Sequence, residues 1–98
     1  MSSKIHQRDV KYMNEPLYRS KKNVISMQLR LMRTRRRLTQ TDLAARMQVL
    51  GVSIDQQSIS KIENNKRTVT DFELAGFCKA LNCTEKDLLQ DFYEQLKD

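Results

Sequence analysis

The chain has one proline, two glycines, two cysteines and one histidine in 98 residues. So few prolines and glycines leave few forced turns, and most of the chain is free to be helix. Cys78 and Cys83 are too few and too close together for a disulfide scaffold. With no further cysteine, and with His6 as the sole histidine, no zinc site is expected. No apolar run approaches the roughly 20 residues of a membrane span. The opening MSSKIHQRDVK lacks the apolar centre of a signal peptide. These shortages together point to reduced thiols and a cytoplasmic location. There is also no nucleophile–base pair, no metal-ligand cluster and no glycine-rich phosphate loop, so we expect neither an enzyme nor a cofactor. Three Tyr and three Phe form no stacking platform, which disfavours RNA.

What the chain does have is charge, unevenly placed. The net charge is +6, with 31% charged and 39% hydrophobic residues, as suits a small globular helical protein. Residues 71–98 hold three Lys and seven Asp/Glu, a balance of −4. Residues 1–70 hold fifteen Lys/Arg and five Asp/Glu, a balance of +10. Lys21–Arg37 carries seven bases and no acid. One half thus suits a polyanion and the other suits water, although a solvated basic helix would have the same composition.

The length allows one domain with one modest core. Residues 1–22 show no clean period and read as an N-terminal arm or docked tail, with a short strand or turn around Val10–Leu17. Residues 23–98 read as five helices. The first runs from Asn23, a candidate cap, to Arg37, with Ile25, Leu29 and Met32 inward. Thr39 caps the second, TQTDLAARM, with Asp42 completing a capping box and Leu43, Ala44 and Met47 buried. Gly51 supplies the turn. The third begins near Asp55 or Gln56, has Ile59 and Ile62 inward, and ends where Asn64 or Asn65 turns left-handed. The fourth spans Asp71–Leu81, capped by Thr70 with Glu73, and has Phe72, Leu74, Ala75, Phe77, Cys78 and Leu81 as its apolar positions. Asn82 ends it. Thr84 starts the fifth, with Leu88, Leu89, Phe92 and Leu96 inward.

The stretch DQQSISKIENNKR carries the chemistry. Its third-helix segment has an apolar back and a polar edge of Gln56, Gln57, Ser60 and Lys61. Two short helices joined through a glycine turn, the second with a polar outer face, are what a helix-turn-helix requires. A glutamine amide donates and accepts at once and matches the edge of adenine, and a lysine donates to guanine O6 or N7. Ser58 is placed to reach a base or a phosphate. Gln40 stands at the first turn of the second helix, where free N–H groups suit a phosphate. Lys66 and Arg67 follow the third helix and would meet the backbone.

Here the residues carry a resemblance. LRLMRTRRRLTQTDLAARM, then GVS, QQSISKIENNKR and LAGFCKALNCTEKDLL, resembles the lambda-repressor/Cro (Xre) family of DNA-binding domains. The likeness covers about Val24 to Leu89, with a helix-turn-helix at about 39–64. It implies an all-α, five-helix lambda-repressor-like fold with an N-terminal arm. It implies base contacts from Gln56, Gln57, Ser60 and Lys61. It implies phosphate contacts from Gln40, Ser58, Asn65, Lys66, Arg67 and Arg37. The implied function is a sequence-specific regulator of transcription, a repressor, that binds double-stranded DNA at an inverted-repeat operator as a homodimer. The same fold also serves as a protein-interaction module, such as an antitoxin with a protein partner, and the acidic C-terminal half would suit that use. The chain departs from the family in two places. QVLGVSID is about four residues longer than the usual turn, and Arg37 stands where the family often has Gly.

Other residues have plainer readings. Glu63 is expected to pair with an arginine of the first helix, and the cysteines to be buried thiols. Leu31, Tyr93 and the end of the last helix are candidates for a subunit contact. The arm, with Lys4, Arg8, Lys11, Arg19, Lys21 and Lys22, has two roles open to it: wrapping DNA or packing on the body.

Overall fold

The protein is described by a computed structural model over residues 21–96. Six helices occupy these residues, and no strand is found among them. They are α1 (Ser26–Arg35), α2 (Gln40–Val49), α3 (Gln56–Glu63), α4 (Asp71–Leu81), α5 (Glu85–Leu88) and α6 (Gln90–Gln95). The all-α expectation holds, with the expected fifth helix divided at Leu89 into α5 and α6. The strand or turn expected around Val10–Leu17 lies outside the described residues.

Each helix start has a local chemical reason. Thr39, Thr70 and Thr84 accept from the N–H three residues on, and Asp42, Glu73 and Asp87 return a carboxylate to the cap N–H. These are three complete capping boxes. Asp55 opens α3 by accepting from Ser58 N–H at 2.8 Å. α1 is the exception. Its cap position is Ile25, with no side-chain cap, rather than Asn23. Asn23 instead accepts from Ile25 N–H and donates its amide to the carbonyls of Ile62 and Arg67. Long-range bonds have claimed the side chain expected to cap the helix.

The ends of α1 to α4 share one device. Arg37, Gly51, Asn65 and Asn82 are all left-handed, with φ of 58°, 84°, 59° and 52°. The next residue in each case, Leu38, Val52, Lys66 or Cys83, donates back to a carbonyl in the last turn: Arg33, Met47, Lys61 or Cys78. This closure satisfies carbonyls that a helix end leaves bare. Glycine does it without strain and asparagine with little, but arginine pays for it. The long α2–α3 connection is therefore ordered: Gly51 turns it, Val52 is half-buried, and Ile54 is buried beneath it.

The core joins Ile25 and Leu29 of the first segment to Leu43, Ala44, Met47, Ile54, Ile59, Ile62, Phe77, Cys78, Ala80, Leu81 and Leu88. The close approach is at Gly76 of α4, where a Cβ would come within 2.9 Å of the Met47 methyl and 3.1 Å of Val52. Leu96, expected inward, is 58% exposed, and of the apolar positions read in the fourth helix Phe72 is 62% exposed and Ala75 is exposed. α4 buries the stripe Glu73, Gly76, Phe77, Ala80 and Leu81, and Phe72 and Ala75 fall on its other side. Cys78 is buried and Cys83 half-buried, both as free thiols. Burial pushes the Cys78 thiol up to about 12 and also raises that of Cys83, so both are neutral at neutral pH.

Arg37 tests the helix-closing account. Replacing it with Gly removes a left-handed strain of about 1–2 kcal/mol. It gives back about 0.4–1 kcal/mol through a freer unfolded chain. Arg37→Gly should therefore hold or raise stability by about 1 kcal/mol, whereas Ala45→Gly, exposed in the middle of α2, should cost about that much. Urea denaturation decides it, and an equal loss in both variants would contradict the account.

Candidate nucleic-acid interface

α3 has one buried face and one open face. Ile59, Ile62 and Glu63 are buried, Gln56, Gln57 and Lys61 are exposed, and Ser58 and Ser60 are half-buried. Gln57, Ser60 and Lys61 are spaced three and four apart and share one side of the helix. This puts three of the four expected base-reading residues on one side of α3, with Gln57 and Lys61 exposed and Ser60 half-buried, and Gln56 beside them at the N-terminal edge.

Gln56 is not loose. Its Nε2 donates to Gln40 Oε1 at 2.7 Å, and Gln40 Nε2 donates to Glu63 Oε1 at 3.0 Å. The side chain of Glu63 is fully buried and is gripped by Arg33, with Nε to Oε2 at 2.7 Å and Nη2 to Oε1 at 3.0 Å. Arg33 also donates to the Leu38 carbonyl at 2.7 Å. Its hydrogen bonds to Glu63 raise its pKa above the ordinary arginine value. A chain of four side chains thus runs from α1 through α3 and the first turn of α2 back to the N-terminal edge of α3. The expected partner of Glu63 is found in the first helix. Arg30 also approaches the Glu63 carboxylate, at 3.7 Å.

The expected phosphate-contact residues fall into two kinds. Arg37 and Lys66 are exposed and have no ion-pair partner among the described residues. Gln40, Asn65 and Arg67 already make contacts within the protein. Arg67 pairs through two bonds with Glu73, Nη1 to Oε1 at 3.0 Å and Nη2 to Oε2 at 2.9 Å, and also donates to the Thr68 carbonyl. Asn65 Oδ1 accepts from the N–H groups of Lys22 and Asn23. The backbone N–H of Ser58 is used by the Asp55 cap.

Sequence reasoning missed the structural part of Asn23 and the Gln40–Gln56 bond. The spacing signals used for helices carry no information on bonds between residues 16 and 44 positions apart. It also missed the Arg67–Glu73 pair, for which the signal was present: a base six residues before a capping-box glutamate.

A family model described as helix-turn-helix matches residues 29–88. That is more than half of the chain, and it spans α1 to α5. The chain belongs to this family, the helix-turn-helix proteins of the lambda-repressor/Xre type, which are DNA-binding regulators of transcription. A comparison with curated proteins finds no match. Among the described residues, no helix is long and apolar enough to cross a membrane.

The Arg67–Glu73 pair links stability to pH. Hydrogen bonds from Arg67, with help from the Thr70 N–H, hold the Glu73 carboxyl below the ordinary carboxylate range. A lowered folded-state value means that the stabilisation is complete above the unfolded value of about 4.3 and is lost as pH falls through the folded value. The capping carboxylates Asp42, Asp55 and Asp87 are shifted the same way by their cap bonds. Denaturation midpoints should therefore hold from about pH 7 to 5 and fall below about pH 4. Glu73→Gln should start lower and lose less on acidification; a variant that falls as steeply as the parent would refute the assignment.

Proposed function

We propose that the chain is a sequence-specific double-stranded DNA-binding regulator that sets α3 into the major groove. The observation that carries this is the open stripe of Gln57, Ser60 and Lys61, with Gln56 held at its edge by Gln40, on a helix whose other side is fully packed. A rigid helix with amide and ammonium donors on one side is suited to base edges, where glutamine matches adenine and lysine matches guanine. In this reading Gln56, Gln57, Ser60 and Lys61 read bases. Gln40, Ser58, Asn65, Lys66, Arg67 and Arg37 contact phosphate. Glu73 offsets the charge of Arg67, so Lys66 and Arg37 carry most of the charge of that set, and Arg67 acts mainly by shaping the loop.

The working form we propose is a homodimer on an inverted repeat, acting in the cytoplasm on chromosomal DNA. Tyr93, 47% exposed, and Leu96 support a twofold contact at the last helix. The regulatory outcome we propose is repression, which needs no surface beyond the one that occupies the operator.

Selection of bound duplexes from random DNA tests the reading, followed by titration of the winner against scrambled DNA. Enrichment of an inverted repeat with half-sites about one helical turn apart is the expected result. Gln57→Ala should then weaken binding to the selected duplex by about 1–3 kcal/mol and leave scrambled DNA nearly unaffected. No enrichment, or equal losses on both DNAs, would overturn base reading by this helix and leave the fold as a protein-docking scaffold.

A further inference from the structure

The end of α2 and the last turn of α4 leave an apolar groove open to water. Its volume is about 280 Å³, and it is walled by Arg46, Val49 and Leu50 at the end of α2 and by Lys79 and Ala80 of α4. Val49 is 88% exposed and Leu50 41% exposed, so neither belongs to the core. The two walls are fixed to each other. Arg46 Nη1 donates to the Ala80 carbonyl at 3.1 Å, and Gly76, one turn before Ala80, is packed against Met47 and Val52. Phe72 and Ala75, both exposed, lie seven and four positions before Lys79 on the same side of α4. The apolar surface therefore runs on from the groove along α4 for about 10 Å, two turns of a helix. Single apolar residues are ordinary on a surface, whereas a contiguous strip beside a groove marks a contact.

The charge on the rim selects the partner. Arg46 and Lys79 are exposed on opposite walls, and neither has an ion-pair partner among the described residues. The carboxylate of α2, Asp42, lies one turn before Arg46 and is held by the Thr39 N–H at 2.9 Å. Those of α4, Asp71 and Glu73, lie in its first turn, far from Lys79 along the helix. An apolar floor does not suit a phosphate, and Val49 lies about 14 Å along α2 from Gln40, the residue assigned to the DNA backbone. A partner seated here leaves the outer side of α3 open. The last helix of a second copy fits less well. α6 has six residues, too few for anchors two turns apart, and its Asp91 already accepts from Gln28 Nε2 at 3.1 Å.

We infer that this groove is a docking site for an acidic amphipathic helix of another protein. The partner's apolar side chains, at i, i+3 or i+4 and i+7, lie on Val49, Leu50, Ala75 and Phe72. Its Asp or Glu side chains meet Arg46 and Lys79, which set its orientation and reject basic partners. The strip is small, so the complex is weak and transient. This goes beyond the reading of α3 and does not depend on it.

Selection against the full chain from a displayed library of random peptides of about 14 residues, four helical turns, tests this. Enriched peptides should carry apolar residues at helical spacing with Asp or Glu beside them. A synthetic winner, followed by fluorescence anisotropy, should bind Val49→Gln and Lys79→Glu at least about fivefold more weakly than the parent. Lys86→Glu reverses an exposed charge on α5, outside the groove, and should bind the winner as the parent does. Replacing the winner's acids with Lys should weaken binding to the parent and restore part of it with Lys79→Glu. No enrichment, basic or uncharged winners, or a winner bound equally by the parent, Val49→Gln and Lys79→Glu would overturn the proposal. So would sedimentation showing a dimeric parent and a monomeric Val49→Gln, because the groove would then hold a second copy. No DNA is present in these experiments, so their failure leaves the reading of α3 to its own test.

Discussion

The structure depends on one buried carboxylate. Glu63 lies at the end of α3, out of water, and two other elements come to it: Arg33 from α1 and Gln40 from the first turn of α2. A carboxylate buried without partners is strongly unfavourable, so its position is acceptable only while both are in place. That requirement sets the relation of the three helices more narrowly than their apolar contacts do. Leucine and isoleucine tolerate small slides and rotations, whereas two guanidinium bonds at 2.7 and 3.0 Å do not. The grip then passes outward through Gln40 to Gln56, so the first residue of α3 is positioned from inside the core.

A second constraint is how compactly the chain must turn. With one proline and two glycines, it closes four helices on left-handed residues, of which only Gly51 is a glycine. Asn65 and Asn82 are the next best choices, and Asn65 also uses its side chain to hold the segment before α1. Arg37 is the strained member. It keeps a free guanidinium at the α1–α2 corner, beside the first turn of α2, and so exchanges some stability for a cation on the side we assign to DNA.

Much of this could be read in the residues. The bounds of α4, the three threonine capping boxes, the inward Ile59 and Ile62, the buried thiol of Cys78 and the pairing of Glu63 with a first-helix arginine all follow from local chemistry or helical period, and the structure agrees with each, while Cys83, also expected buried, is half-buried. The family resemblance extended the reading to the whole helical unit. What could not be read were long-range choices. Asn23 had every local reason to cap α1, but bonds to Ile62 and Arg67 claimed it. Phe72 had every compositional reason to be buried, but the stripe containing Gly76 and the salt-bridged Glu73 turned α4 the other way. The left-handed turn at Arg37 was hinted at only by the glycine the family often places there. Within the candidate site, the sequence shows which residues are polar and on one face, while the contacts that fix Gln56 and occupy Arg67 exist only once the helices pack.

The account stands on Glu63 acting with Arg33 as a unit, and a double-mutant cycle by urea denaturation measures this directly. Removing either partner alone strands a buried charge: Arg33→Met and Glu63→Leu should each cost about 3–5 kcal/mol. The double variant should cost far less than their sum, with a coupling of about 2 kcal/mol or more. Losses that simply add would mean that the carboxylate is a passenger in a fold held by its apolar core.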